Sequence, residues 1–485
     1  MWLSQASWKG KYRACRQNRV TIHTLPDDVL VEIFHFYVND WRTGSNGWHT
    51  LVHACRTWRC IVFASPRYLN LQLKYTGKRP ISEMLDIWPV LPVVISLTTY
   101  PSSESYPDRC WGNIAVALES EHHHRICVID LSVIPASHWE RMAAAMQKPF
   151  PELTLVRVWL EENTVTPLPD SFLGGSAPLL LRHLSLRNCP FPGMPKLLLS
   201  ANHLVHLFLR NIPYSGYISP QALVTALSVM SRIETLYVEF RSPRSRPDPE
   251  SRPPPPPTRS VLSALTDLEF QGAHEYLEDL LAQIEAPLLN KLEITFFMVP
   301  NFVVPQLRQF ISLAESFKTC DKAFVETSYC AIRIAIFRER DRPSPKLSLN
   351  IRCRELDWQL SSLAQVCSSS FPLLSTLVQL DILHVLLPDA PSHRRNGMER
   401  TQWLELLHPF TAVKHLRLSD QVAPRVCQAL EELSEERRTE VLPALQNIFL
   451  SDLSVPKFIE RFVAARQLAG HPVAVYPWEN HEIFS

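Results

Sequence analysis

The sequence predicts an α/β protein in which a three-helix N-terminal module precedes a solenoid of strand–helix repeats. An amphipathic helix pattern begins at Pro26, and a second one follows it after a short polar insert. From Ile126 onward, a pattern of apolar residues at its first, fourth and sixth positions recurs, with helical segments between the copies. Strands and helices that alternate in this way build a curved parallel sheet with helices on its outer side.

Length and composition limit the classes of function to be considered. With 485 residues the chain is long enough for two or more domains, and 46% hydrophobic against 20% charged residues predicts that it folds. A formal net charge of +1 argues against nucleic acid or an anionic membrane as a partner. The 11 cysteines include no C-x-x-C pair, which favours reduced thiols in a cytoplasmic and/or nuclear protein.

The sequence predicts neither a membrane-spanning segment nor a signal peptide. The most apolar run is interrupted by Pro89 and Pro92 and is too short to cross a bilayer. Residues 1–23 are basic and lack an apolar core, so we expect a flexible tail rather than a signal peptide.

The segment from Thr24 to Leu73 carries the clearest local signals. Pro26 suits the first helical position, and Asp27 and Asp28 place negative charge at the positive end of the helix dipole. Apolar residues then follow at helical spacing in two runs: Val29, Leu30, Ile33, Phe34 and Tyr37, and, after the insert, Leu51, Val52, Cys55, Trp58, Ile61 and Val62.

This segment resembles the F-box, the three-helix module of ubiquitin-ligase substrate receptors, and we assign residues 24–75 to it. The resemblance is carried by Leu25-Pro26, by Ile33-Phe34 and by the run from Ala54 to Arg59. Asp28 stands where the family often has Glu, and Ala54 stands where it often has Val. The resemblance implies that the module docks a Skp-type adaptor and, through it, a cullin–RING ligase.

Ten residues form the candidate adaptor-binding module under this resemblance: Leu25, Pro26, Val29, Leu30, Ile33, Phe34, Leu51, Val52, Cys55 and Trp58. Three short helices cannot bury all of these side chains among themselves, so some form the core of the module and others an apolar edge. We expect Leu25, Pro26, Ile33 and Phe34 to form that edge and to enter a groove of the partner. The pattern of the first helix, taken by itself, would also be expected in an ordinary small helical domain.

The repeat occupies residues 126–476. Its ten apolar triplets are Ile126/Ile129/Leu131, Leu153/Val156/Val158, Leu181/Leu184/Leu186, Leu204/Leu207/Leu209, Ile233/Leu236/Val238, Leu265/Leu268/Phe270, Leu289/Leu292/Ile294, Leu377/Leu380/Ile382, Val413/Leu416/Leu418 and Leu445/Ile448/Leu450. Their spacing is close to the period of leucine-rich repeats, roughly 20–29 residues. One copy, LRHLSLRNCPF, carries the full motif, with Cys189 at the position that usually caps the turn. The array resembles the irregular leucine-rich repeats that follow fungal F-boxes; an α/β domain with leucine-rich strands is the alternative.

Helices are expected between the strands, at Trp139 to Met146, Pro220 to Met230, Glu275 to Ile284, Thr401 to Leu407, Arg425 to Leu433 and Lys457 to Ala465. The connecting region, residues 76–125, contains strand-like Val93 to Leu97 and helix-like Ile114 to Glu119. After the strand-like His471 to Tyr476, residues 477–485 form a polar tail.

Two segments interrupt the repeat. Residues 241–259 are rich in proline and arginine, and we expect them to form an exposed, extended loop. Residues 302–354 lose the repeat spacing and predict a hairpin, Ala331 to Phe337 with Lys346 to Ile351, which projects from the arc.

The sequence carries no recognisable motif for catalysis or metal binding. The phosphate-binding glycine motifs, H-E-x-x-H and G-x-S-x-G are absent. The adjacent imidazoles of His122, His123 and His124 do not converge on one tetrahedral metal. In each of the pairs Glu161-Glu162 and Glu435-Glu436, the two side chains are expected to point to different sides of their helix, strand or loop. They therefore do not resemble a general acid–base pair held across a cleft. We therefore expect no catalytic residue, no cofactor and no metal.

The resemblance implies a non-catalytic, substrate-recognition subunit of a Skp–cullin–F-box E3 ubiquitin ligase. The module would hold the adaptor, and the concave strand face would hold an unidentified target protein. Exposed positions expected on that face include Arg187, Arg210, Glu239 and Arg417. Two alternatives stay open: a protein-interaction scaffold that uses the repeats without recruiting a ligase, and an enzyme hidden among irregular repeats.

Overall fold

The computed structural model consists of two compact units. It describes residues 22, 25–39, 47–88, 90–98, 106–162, 164, 166–191, 196–243, 258–297, 303–338, 344–353, 356–385, 399–431, 433, 440–451 and 456–478. The chain divides into a smaller unit, Met1–Asp130, and a larger unit, Leu131–Ser485. Most of the expected basic tail, residues 244–257 of the proline- and arginine-rich loop, and the pair Glu435-Glu436 lie outside the described residues.

The smaller unit combines helices with a short pair of parallel strands. Its helices are α1 (Asp27–Asn39), α2 (Gly47–Ala54), α3 (Arg56–Ala64), α4 (Ile81–Leu85) and α5 (Asp108–Glu119); its strands are β1 (Leu73–Tyr75) and β2 (Val93–Leu97), and β3 (Ile126–Ile134) contains the boundary between the units. Strands β1 and β2 pair in parallel, with Leu73 opposite Val93.

Local signals in the sequence explain where the first helices begin. Helix α1 follows directly on Pro26 and has Asp27 and Asp28 in its first turn. Helix α3 begins after Cys55, whose backbone is extended at φ −159° and whose sulfur accepts a hydrogen bond from the backbone N–H of Trp58 at 3.4 Å. Helices α1, α2 and α3 all contact one another, which makes them one three-helix cluster.

The larger unit alternates strands and helices. Its strands are β4 (Leu155–Leu160), β5 (His183–Arg187), β6 (His206–Ile212), β7 (Thr235–Phe240), β8 (Ser260–Val261), β9 (Asp267–Gly272), β10 (Ile284–Glu285), β11 (Lys291–Phe297), β12 (Lys322–Thr327), β13 (Ala331–Phe337), β14 (Leu347–Arg352), β15 (Gln379–His384), β16 (His415–Leu418), β17 (Asn447–Leu450) and β18 (Ala474–Pro477). Its helices are α6 (Ala136–Ala145), α7 (Lys196–Leu199), α8 (Pro220–Leu227), α9 (His274–Leu281), α10 (Pro305–Leu313), α11 (Leu356–Ser370), α12 (Glu399–Leu407), α13 (Ala423–Glu431) and α14 (Pro456–Leu468).

The strands of this unit form a long, mostly parallel sheet. Their order from β4 onward is β4-β5-β6-β7-β9-β11-β14-β13-β12-β15-β16-β17-β18, while β8 and β10 pair separately. From α7 to α14, each helix contacts the next one in the chain. Each strand–helix unit therefore packs against the unit before it in the sequence, as in a repeat protein.

The apolar triplets account for this arrangement. Every residue of the ten triplets is at most 3% exposed. In β5, for example, Leu184 and Leu186 lie on the strand and Leu181 lies two residues before it. Alternate side chains of a strand point to opposite faces, so the pattern selects one face of the sheet for burial. The gain is about 25 cal/mol for each Å² of apolar surface removed from water.

The insert at residues 302–354 differs from the expectation of a projecting hairpin. Strands β13 and β14 do pair antiparallel, but β14 also pairs in parallel with β11, and β12, which the sequence pattern missed, pairs in parallel with β15. The three strands are therefore built into the sheet, where β13 alone runs against its neighbours. This placement satisfies backbone N–H and C=O groups that a projecting hairpin would leave at open edges.

The turn after β5 is held by Asn188 more than by the expected Cys189. Asn188 has a left-handed backbone at φ 60°, which asparagine tolerates better than most residues. Its side-chain amide donates to the carbonyl of Leu160 at 2.6 Å, and its side-chain oxygen accepts from Asn211 at 2.6 Å. Cys189 is buried and its thiol lies 3.5 Å from the carbonyl of Arg187, a weak contact.

Candidate interaction surfaces

Helix α1 presents a row of exposed apolar side chains. Val29 and Ile33 are each 40% exposed, Tyr37 is 37% exposed, and Phe36 is 75% exposed. Pro26, which is also exposed, lies at the N-terminal end of the row. Residues three and four apart lie on the same side of a helix, so these five side chains form one surface. We call Pro26, Val29, Ile33, Phe36 and Tyr37 the α1 edge.

The neighbouring side of α1 packs into the core of the smaller unit. Leu30 is 2% exposed and Phe34 is 1% exposed. The rings of Phe34 and Trp58 lie 4.9 Å apart between centroids, with their planes at 58°. Phe34 was expected at the exposed edge and is instead a core residue, because Trp58 of α3 covers it. Phe36 occupies the exposed side in its place.

The ten residues of the candidate module divide into three groups. Leu30, Phe34, Leu51 and Val52 are buried; Leu25, Cys55 and Trp58 are half-buried; Pro26, Val29 and Ile33 are exposed. The structure thus brings all ten into one helical cluster but exposes only part of them.

Polar contacts fix α1 to the rest of the cluster. The hydroxyl of Tyr68 donates to Glu32 Oε1 at 2.6 Å, and its ring lies 4.9 Å from that of His35. On the neighbouring helices, Arg59 Nε donates to the carbonyl of Val52 at 3.0 Å. Helix α1 is therefore held to the smaller unit by polar contacts as well as by its buried side chains.

A second surface is the exposed face of the sheet in the larger unit. Its residues alternate with the buried triplet residues along each strand. The pairing registers align these residues into rows across the strands: Arg157, Ser185, Phe208, Tyr237 and Glu269 are successive partners from β4 to β9.

Three arginines surround a cavity of about 290 Å³ on this face. We call this cavity the arginine pocket; it is lined by Ser132, Arg157, Val158, Trp159, His183, Ser185, Arg187, Phe208 and Arg210. Ser132 and Ser185 are buried, whereas Arg157 is exposed.

Aromatic rings hold two of the arginines in place. The Arg187 guanidinium carbon lies 4.2 Å from the ring centroid of Trp159, and that of Arg210 lies 4.5 Å from Tyr237 and 5.2 Å from Phe208. Within the described residues, neither guanidinium makes a hydrogen bond or an ion pair, although the Nε of each is shielded from solvent. These cation–π contacts stabilise the guanidinium groups without using their N–H donors.

His183 adds an uncharged ring to the pocket. Burial, followed by the positive charges of Arg157, His206 and Arg210, lowers the pKa of His183 to about 4. The imidazole is therefore neutral at pH 7. Its ring centroid lies 5.1 Å from that of Phe208, with the planes tilted by 32°, and its Nε2 has no hydrogen-bond partner among the residues described.

Acidic residues occupy the next strands of the same face. Glu239 accepts hydrogen bonds from the hydroxyl of Tyr237 at 3.2 Å and from the side-chain amide of Gln271 at 3.3 Å. Burial, and then the charge of Glu293, raises the pKa of Glu269. Glu293 also pairs with Lys291 at 3.3 Å. We call Glu239, Glu269 and Glu293 the acidic row.

A buried ion pair lies further along the sheet. Lys322 Nζ is 2.9 Å from Asp381 Oδ2, and Arg417 is 4.0 Å from the same oxygen. Of the face positions expected from the sequence, Arg187 and Arg210 meet in one pocket, Glu239 lies one strand beyond, and Arg417 belongs to this separate pair. The sequence reasoning missed Arg157, Trp159 and His183, although the same alternation marks them as face residues.

Among the described residues, no group of three or more His, Cys, Asp or Glu side chains could hold a metal ion. His122, His123 and His124 lie in a 3₁₀ helix, Glu121–Arg125. The part of the chain that the structure describes has no helix of the length and apolarity needed to cross a membrane.

The pairing, the stacked helices and the buried triplets define a repeat-type α/β protein with an exposed sheet face. No protein-family model matches the chain, and neither does any curated protein. The crystal structure of the leucine-rich repeat-containing protein LegL7 from Legionella pneumophila aligns with 68% of this chain and 94% of its own, at 15% identity and a TM-score of 0.27. That score is too low to bear on the fold, which rests on the strand order and pairing given above.

Proposed function

We propose that this chain is the substrate-recognition subunit of a Skp–cullin–F-box E3 ubiquitin ligase of the cytoplasm and/or nucleus, with no catalytic role of its own. The α1 edge docks a Skp-type adaptor, and the exposed sheet face binds the target protein. The observation that carries the proposal is the α1 edge itself, an apolar row on a helix whose neighbouring side is already packed. Such a helix suits a partner that offers a hydrophobic groove.

Burial of the α1 edge by a partner would gain free energy, and the exposed fractions show which residues would supply most of it. Burying a fully exposed large apolar side chain is worth about 1.5–3 kcal/mol. Phe36, at 75% exposure, has most of that gain still available, and Val29 and Ile33, at 40%, have less than half of it. Association entropy offsets part of the sum, so these gains identify the residues that matter rather than an affinity.

The contribution of such a subunit to the reaction is proximity. It forms no covalent intermediate and holds the target near the ubiquitin-charged enzyme. Bringing two reactants together raises their effective concentration and thereby the rate of transfer.

Pull-down of a purified Skp-type adaptor by the full chain tests this proposal. We expect Ile33→Glu and Phe36→Glu to abolish adaptor binding, because each places a charge in the docking surface. The matched control is Val116→Glu, which changes an apolar residue that is 47% exposed on α5 of the same unit. Adaptor binding that is absent in the wild type, or equal in all four proteins, would falsify the ligase proposal.

A scaffold that recruits no ligase is the second candidate. It is favoured by one observation: the arginine pocket and the acidic row lie entirely within the larger unit and use no residue of the α1 edge. If the chain is such a scaffold, we expect it to bind its target protein, and we expect neither the wild type nor any variant to pull down the adaptor.

A further inference from the structure

We propose that the arginine pocket binds a carboxylate- or phosphate-bearing side chain of an extended segment in a partner protein. We further propose that the acidic row binds a basic residue about four positions away in the same segment. This inference deepens the target-binding part of the proposed function and depends on it.

Charge and unused donors indicate an anion as the ligand of the pocket. Arg157, Arg187 and Arg210 converge on one cavity. The guanidinium groups of Arg187 and Arg210 have no acceptor among the described residues, and their Nε atoms are shielded from water. A buried donor without an acceptor destabilises the protein, so an oxyanion that accepts from it recovers that cost. The planar guanidinium matches the two oxygens of a carboxylate or phosphate.

The walls of the pocket favour a single side chain over a larger ligand. A volume of about 290 Å³ lies at the lower end of the range for small-molecule sites. Trp159 and Phe208 supply apolar walls beside the arginines, which suits the methylene stem of an acidic residue. His183 is neutral at pH 7 and adds no positive charge, so the attraction for an anion comes from the arginines.

The acidic row indicates that the ligand continues beyond the pocket. Ser185 in the pocket, Phe208, Tyr237 and Glu269 are successive partners across β5, β6, β7 and β9. Three strand spacings of about 4.8 Å separate Ser185 from Glu269 by about 14 Å. An extended chain advances about 3.5 Å for each residue, so about four residues span that distance. A segment with an acidic residue and, four positions away, a lysine or arginine therefore matches both charged regions.

Fluorescence anisotropy with the full chain and labelled synthetic peptides tests the inference. The peptides share a Gly/Ser/Ala background and carry phosphoserine, glutamate or serine at one position, with arginine or alanine four residues before or after it. We expect the serine peptides to bind at least tenfold more weakly than the phosphoserine or glutamate peptides. Whichever of those two binds more tightly identifies the source of the anion.

Variants of the protein locate the binding site. We expect Arg187→Ala and Arg210→Ala each to weaken binding of the acidic peptide at least tenfold, and Arg210→Lys to weaken it less because the charge is kept. Glu269→Gln should remove the preference for the peptide with arginine. The matched control, Arg308→Ala, removes an exposed arginine of α10 and should leave binding unchanged.

Three results would overturn the inference: no binding by any acidic peptide, equal losses in Arg187→Ala and Arg308→Ala, or equal affinity for the serine and acidic peptides. Competition by inorganic phosphate with no effect of the peptide's arginine would also overturn it, in favour of a small-anion site. None of these measurements involves the adaptor. Failure of the adaptor pull-down and failure of the peptide assay are therefore separate outcomes.

Discussion

A buried carboxyl group in the larger unit makes its stability depend on pH. Glu278 of α9 accepts hydrogen bonds from the backbone N–H groups of Gln306 at 2.7 Å and Leu307 at 2.9 Å, at the start of α10. Burial raises the pKa of Glu278 from 4.5 to about 7, although these two bonds act in the opposite direction. The folded state therefore holds the proton more tightly than the unfolded state does.

The sign and size of the effect follow from this pKa difference. A group whose pKa is raised on folding stabilises the fold fully below its unfolded pKa, here about 4.5, and that contribution is lost as the pH rises through about 7. One pKa unit corresponds to about 1.4 kcal/mol, so the loss is on the order of 3 kcal/mol. Glu278→Gln removes the ionisation and also one of the two acceptor oxygens. We predict that the stability of this variant relative to wild type rises by about 2–3 kcal/mol between pH 5 and pH 8, whatever the constant cost of the lost acceptor.

Urea unfolding at a series of pH values from 4.5 to 8, followed by tryptophan fluorescence, measures this difference. Glu234→Gln is the matched control, because Glu234 is an exposed carboxylate of the same unit. A difference between Glu278→Gln and wild type that stays constant across the series, or that matches the control, would show that the reasoning about Glu278 is wrong.

Two further predictions concern packing and charge. Phe34→Ala should destabilise the smaller unit by about 3–5 kcal/mol in thermal unfolding, because it leaves a cavity beside Trp58 in place of a buried ring. Phe36→Ala, which removes an exposed ring, should cost less than about 0.5 kcal/mol. Equal effects of the two substitutions would contradict the assignment of Phe34 to the core and Phe36 to the edge. Lys322→Met should cost about 3–5 kcal/mol, because it removes the nearest positive charge from the buried Asp381 carboxylate, and the double variant with Asp381→Leu should recover most of that loss. No recovery in the double variant would show that the charge pair is not the cause.

The local pattern of apolar residues was enough to predict most strands and the face that each one buries. Leu184 and Leu186 show why: two apolar residues that alternate with polar ones can be buried together only on a strand with one face turned inward. The same logic predicted the strand at Val93–Leu97, and it predicted a helix from Pro220 to Met230, of which Pro220–Leu227 is helical. Burial of apolar surface dominates these choices, and its signal is contained within a few neighbouring residues.

The pattern failed where the outcome depends on distant neighbours. The segment Lys322–Thr327 has no repeat spacing and becomes a strand, because β13 and β15 on either side of it supply hydrogen-bond partners. Helix α11, Leu356–Ser370, was missed for a similar reason, since its place between α10 and α12 is set by the stacking of helices. Phe34 is a core residue because Trp58, far along the chain, covers it.

For the arginine pocket, too, the sequence predicts one part and only the tertiary structure decides the other. Alternation along β5 and β6 is sufficient to assign Arg187 and Arg210 to the exposed face, and it can be read from the residues alone. Their meeting with Trp159 and His183 around one cavity depends on the register between strands that are more than 20 residues apart in the chain. Periodicity is a local property and specifies which way a side chain points, whereas pairing between strands is non-local and specifies which side chains it meets.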